Sequence, residues 1–147
     1  MLVRSSQFHR CTLCDTVVEV LEQCGVELVC CGRPMVAVHA KACGRGRDGH
    51  MPFVETTDRG LKVSVSREAH PMDPDHHILW IELVADGKYD RQFLRAGQPA
   101  EATFDTRAGN FVARTYCSVH GLWSSEPLKG PADAGGNPAG SSVLSCA

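Results

Sequence analysis

Four cysteines near the start of the chain, Cys11-x2-Cys14 and the directly adjacent pair Cys30-Cys31, limit what this region can become. A CxxC turn places two sulfurs on one side of a metal, and a second pair closes a tetrahedron. Such an all-sulfur set suits zinc or iron. A segment of about 35 residues cannot bury enough surface to fold well unaided. Ligation of a structural metal supplies the missing stability, on the order of 10–16 kcal/mol. Neighbouring residues of an extended chain point in opposite directions. Cys30 and Cys31 therefore reach one metal only through a local twist, which Gly32 favours, and a distorted tetrahedron is expected. Cys24, Cys43 and Cys146 stand outside this set and are expected as free thiols, with Cys146 the most exposed to oxidation.

The remaining composition narrows the setting. A chain of 147 residues accommodates one sizeable core plus a small module. A net charge of -2 gives neither a nucleic-acid footprint nor a basic membrane surface. No apolar run approaches the roughly 18 residues of a spanning helix. The start, MLVRSSQFHR, lacks the apolar stretch of a secretory signal. A cytoplasmic protein is expected, and in a reducing compartment eight clustered cysteines hold metal or do redox chemistry more often than they form disulfides.

Three stretches separate along the chain. Residues 8–39 carry five cysteines within short β-like runs at 17–21, 26–30 and 35–39. The segment KACGRGRDGH, 41–50, reads as a linker. From 52 to about 128 the pattern is β throughout. Leu61, Val63 and Val65 alternate with Lys62, Ser64 and Ser66, which marks a strand with one buried face. ILWIELVA, 78–85, suits a central strand, and Asp86-Gly87 offers a tight turn. Runs at 89–94, 102–106 and 111–117 complete an expected antiparallel sandwich. No segment shows a helical period over three turns. The tail, 130–147, lacks the apolar mass to repay ordering. The expected division is a metal module over 1–40, a linker over 41–51, a β-sandwich over 52–128 and a disordered tail over 129–147.

Five of the seven histidines lie between His50 and His120, and they form a second constellation with one cysteine. It consists of His50-Met51-Pro52, His70-Pro71-Met72, His76 and Cys117-Ser118-Val119-His120. The x2 spacing of Cys117 and His120 lets two ligands bind one metal from a compact loop. Neutral imidazoles with a thiolate favour a transition metal such as iron.

The strings EVLEQCGVELVCCGRPM (19–35), GHMPFVE (49–55), AHPMDPDHHILWIELVADG (69–87) and ARTYCSVHGLW (113–123) resemble desulfoferrodoxin, the two-iron class of superoxide reductases. The resemblance runs from about residue 8 to residue 124. It implies a desulforedoxin-like module with iron on Cys11, Cys14, Cys30 and Cys31, followed by an immunoglobulin-like sandwich. The second iron would take His50, His70, His76 and His120 in a plane and Cys117 as axial ligand. The family's spacing selects His76 over His77, which on a strand would face the other way. The resemblance also implies reduction of superoxide to hydrogen peroxide, a rubredoxin-like electron donor and a homodimer. Zinc is the rival metal for the four-cysteine set, and a plain electron carrier without superoxide chemistry is the rival activity.

One departure bears on mechanism. Where the family carries Glu-Lys before the first ligand histidine, this chain has Asp48-Gly49. Asp48 is one methylene shorter than the glutamate thought to occupy the sixth position of resting ferric iron. Gly49 offers no cation at all. Arg45 or Arg47 could supply positive charge from a flexible loop, though arginine is a poor proton donor. Slower encounter and altered protonation are expected, with the reaction type retained.

Overall fold

The computed structural model describes residues 7–22, 25–107 and 109–129. Its chain divides into two compact units, Met1–His39 and Ala40–Ala147. The expected disordered tail lies, apart from Lys129, outside the described residues, as do Cys24 and Cys146.

In the first unit, β1 (Gln7–Arg10) pairs antiparallel with both β2 (Val17–Val20) and β5 (Val36–Val38). Between the last two, β3 (Val29–Cys30) and β4 (Arg33–Pro34) form a minimal hairpin. β1 is a strand that the sequence did not announce. The run at 26–30 contracts to two paired residues, because the chain turns back at once. Cys31 and Gly32 form that turn with φ of 51° and 71°. Both central residues are left-handed, as a two-residue hairpin loop that follows strand twist requires. The twist expected around the cysteine pair is therefore carried by Cys31 itself as well as by Gly32.

The second unit begins with one turn of helix, α1 (Arg47–His50), where a linker was expected. β6 (Pro52–Thr57), β7 (Gly60–Val65) and β10 (Glu101–Phe104) form one antiparallel sheet in the order β10-β7-β6. β8 (Ile78–Ala85), β9 (Lys88–Phe93), β11 (Asn110–Cys117) and β12 (Gly121–Ser124) form the other, ordered β12-β11-β8-β9, and β13 (Leu128–Lys129) pairs with β11. Lys129 thus belongs to the sandwich rather than to the tail. The alternation at 61–65 is realised in full, with Leu61, Val63 and Val65 buried. Together with Ala102 and Phe104 they pack against Ile81, Leu83, Phe111 and Ala113 of the opposite sheet. Asp86 and Gly87, at φ 50° and 74°, close the β8–β9 turn as read. Among the described residues no helix is long and apolar enough to cross a membrane.

Two details place the chemistry at one end of the sandwich. Tyr116 pairs with Trp80, but Cys117 pairs with Ile78, so the β11–β8 register slips at the end of the strand. Such a bulge re-aims a side chain, and Cys117 lies fully buried within the core cluster. The β11–β12 turn that follows holds His120.

Ile81 is fully buried between the sheets, whereas Phe93 is 73% exposed. Ile81→Ala is expected to cost about 2–5 kcal/mol. Phe93→Ala should stay within about 0.5 kcal/mol. Denaturant unfolding of the two variants measures the contrast.

Candidate metal centres

In the first unit the thiols of Cys11, Cys14, Cys30 and Cys31 lie within 4.8 Å of one another. Cys14 Sγ is 3.7 Å from Cys30 Sγ, which is 3.9 Å from Cys31 Sγ. A tetrahedron with metal–sulfur bonds of about 2.3 Å has edges of roughly 3.8 Å, so these two edges are close to regular. The CxxC half is built by a turn closed through Cys11 N–H donating to Thr16 O at 2.9 Å, with Asp15 at φ 59°. Leu13 N–H points at Cys11 Sγ at 3.4 Å. The Thr16 hydroxyl beside Cys14 Sγ, at 3.1 Å, holds that thiol down at about 6. The Cys14 sulfur in turn pushes Cys30 up to about 12 and Cys31 upward as well. Four sulfurs this close cannot all ionise without a cation among them, which is the condition a bound metal meets.

The second centre is a square of imidazoles. His50 and His70 have ring centroids 4.7 Å apart, His70 and His76 4.9 Å, His76 and His120 5.0 Å, and His120 and His50 4.7 Å. Each corner meets the next edge-on, at 64° to 83°. The ligand atoms of His50, His76, His120 and Cys117 fall within 4.8 Å of one another, and His70 supplies the remaining corner. No acidic side chain joins that group among the described residues.

Local structure aims each ring. Gly46, left-handed at φ 85°, precedes α1, and its carbonyl accepts from His50 Nδ1–H at 2.6 Å. The Pro71 carbonyl accepts from His70 Nδ1–H, also at 2.6 Å. These bonds fix the tautomer and turn Nε2 inward as a lone-pair donor. The Nε2 atoms of His50, His70 and His76 are buried and meet no partner among the protein's own groups. Buried polar atoms without partners are rare, and three on successive corners of one square fit a cation. His120 presents Nδ1 instead, 3.6 Å from Cys117 Sγ. Trp123 stacks on the far side of His50, at 4.9 Å and 10°.

His76 is chosen over His77 by a turn rather than by strand alternation. Asp73 and His76 exchange backbone hydrogen bonds at 3.0 and 3.1 Å ahead of β8. His77 is held away, its Nδ1–H donating to Asp73 O at 3.0 Å. Asp48 is exposed on α1, and its carboxylate is not part of the gathered group. Cys43, expected as a free thiol, is disulfide-bonded. Lys41, which neither its type nor its spacing singles out, lies against the centre with its ammonium donating to His120 O at 2.8 Å.

Burial depresses the basicity of three corners of the square. It pushes His70 down from 6.5 to about 4, opposed in part by the Pro71 carbonyl. His50 and His120 move in the same direction, again through burial first, with the Lys41 charge adding to it. His50, His70 and His120 are thereby held neutral, the form in which imidazoles ligate metal.

Comparison with known proteins gives one family. A family described as "Desulfoferrodoxin, N-terminal domain" matches residues 3–38, and one described as "Desulfoferrodoxin" matches residues 42–126. A desulfoferrodoxin from Syntrophotalea carbinolica is 44% identical over 120 residues, covering 82% of this chain and 95% of that protein. A superoxide reductase from Pyrococcus abyssi is 34% identical over 97 residues, covering 52% of this chain and 84% of that protein. The crystal structure of the superoxide reductase from Treponema pallidum superposes with a TM-score of 0.66 at 26% identity, covering 85% of this chain and all of that one. The four-cysteine group and the histidine square with Cys117 match the family's two iron sites.

A pH dependence follows from His70. Between pH 6.5 and about 4 the unfolded chain binds a proton there that the folded chain does not. The contribution is complete above 6.5 and is lost as pH falls toward 4. The thermal midpoint of the metal-free protein is expected to drop across that window, with a flatter profile in His70→Gln.

Proposed function

The chain belongs to the desulfoferrodoxin family, and from that premise we propose that it is a superoxide reductase. One electron and two protons convert superoxide to hydrogen peroxide, and no dioxygen forms. His50, His70, His76, His120 and Cys117 would hold the catalytic iron, and Cys11, Cys14, Cys30 and Cys31 a second iron, with zinc the alternative there. The observation that carries this reading is the square of inward-aimed ring nitrogens with one buried thiol at Cys117.

An iron(II) held in the square would supply the electron. The protein's part is to leave it reactive and to keep it in place. Four neutral imidazoles and one thiolate compensate only one charge of a divalent ion, so the site retains net positive charge toward an anion. The five side chains would hold the iron without closing it off, so that a small anion could reach it. Cys117, buried in the sandwich core, would donate sulfur electron density to a bound iron. His120 is exposed and His76 only half-buried, so the square reaches solvent.

The electron is replaced from outside. We propose a rubredoxin-like donor that docks at the four-cysteine module, where Cys14 and Cys31 are exposed and Leu13 and Val29 form an apolar rim, 55% and 61% exposed. A homodimer, which the family resemblance implies, and a cytoplasmic location, which the sequence leads one to expect, complete the reading. Asp48 holds the place of the family's glutamate. From the exposed side of α1 it would reach the open position only after that turn shifts.

The test is a titration of the reduced protein with superoxide under anaerobic conditions. Oxidation of the His/Cys iron with one peroxide per electron and little dioxygen is expected. Cys117→Ser should remove the fast reaction and leave the four-cysteine chromophore intact. Iron indifferent to superoxide would instead favour a plain electron carrier, and stoichiometric dioxygen would indicate dismutation.

A further inference from the structure

Superoxide is an anion, and the position next to His50 that could carry a cation is Gly49. The arginines nearest in sequence do not fill that role. Arg47 lines a groove together with Asp48, Met51, Phe53, Arg67 and Glu68, and none of the five ligand residues lines it. Arg45 is exposed.

Lys41 is placed differently. Its backbone N–H donates to Leu122 O at 2.9 Å, and its carbonyl accepts from Ser124 N–H at 2.9 Å, so it is fastened to β12 on both sides of Trp123. Its ammonium donates to His120 O at 2.8 Å and lies 5.4 Å from the centre of the Trp123 ring. That ring stacks on His50, and His50 and His120 are adjacent corners of the square. Both anchors of the ammonium therefore converge on one edge of the imidazole square. A side chain held twice has given up most of its conformational freedom, so its charge stays in one place.

We propose that Lys41 supplies the fixed positive charge that draws the anionic substrate to the His50–His120 edge of the centre, the role that Gly49 leaves empty. The inference rests on the superoxide reading. It assigns Lys41 as a positioning residue that acts through the field and not through contact with the iron. A single charge at the rim of a site alters the rate of encounter and its salt dependence more than the chemistry that follows. The effect fades as the screening length shrinks from about 10 Å at 0.1 M ionic strength to about 3 Å at 1 M.

The experiment compares the iron-loaded protein with Lys41→Met and Lys41→Arg. Pulse radiolysis reads the second-order rate of oxidation by superoxide across ionic strength. Optical titration reads azide affinity of the ferric site, and nitric oxide affinity of the ferrous site serves as the uncharged control. Lys41→Met is expected to be about three- to tenfold slower at low salt, with the gap closing at high salt. Azide should weaken by a similar factor, nitric oxide should not, and Lys41→Arg should restore both anion readouts. An unchanged salt profile with peroxide still formed would overturn the role of Lys41 and leave the superoxide reading standing. Equal loss of azide and nitric oxide binding would also overturn it, because it would mark Lys41 as a structural brace for His120. A wild-type protein inert to superoxide, with azide still dependent on Lys41, would sink the substrate and with it the proposal as stated.

Discussion

Two short hydrogen bonds, from His50 Nδ1 to the Gly46 carbonyl and from His70 Nδ1 to the Pro71 carbonyl, set the terms for everything at the second centre. Each spends the outer ring nitrogen on the backbone, so the inner nitrogen must offer its lone pair to the middle of the square. With His76 this buries three ring nitrogens that have no protein partner. Left alone, each would cost about 1–3 kcal/mol. A metal ion turns that cost into ligation. The fold is thus arranged so that the feature that destabilises it when empty is the one that makes it an enzyme. The same burial lowers the basicity of His50 and His70, which keeps protons from competing for those two positions.

The four-cysteine module meets a different constraint. It has little core, and Cys14 and Cys31 are exposed. Its order comes from turns: the closed loop after Cys11, and a hairpin in which Cys31 and Gly32 both adopt left-handed backbone. A left-handed residue between two short strands turns Cys30 and Cys31 toward one point, something an extended pair cannot do. Solvent-exposed sulfur suits an entry point for electrons, whereas the buried sulfur of Cys117 suits a ligand that must not be lost. The two centres use the same atom type in opposite environments.

Much of this was legible in the sequence because it is periodic or chemically rare. The alternation at 61–65 became β7 and the apolar run at 78–85 became β8, since burial on one face or two leaves a direct imprint on residue choice. The ligand residues stood out by type and spacing, and the structure gathers them. What could not be read depended on long-range pairing or on single turns. α1 is four residues long, too short for a helical period, and begins after a left-handed glycine without a side-chain cap. His76, which the family's spacing selects, is set apart from His77 by the Asp73–His76 turn ahead of β8. Lys41 acquires its place only because β12, some eighty residues later, pairs with its backbone. Cys43 gave no sign of the disulfide it forms.

The central claim is that the square of imidazoles and Cys117 hold one iron and leave a position free. X-ray absorption at the iron edge of the reduced protein, with the four-cysteine contribution subtracted through a Cys14→Ser variant, addresses it directly. The account predicts four nitrogen ligands and one sulfur, with a sixth ligand appearing only when azide is added to the oxidised form. A reduced site already saturated by six protein ligands, or one without sulfur, would contradict it.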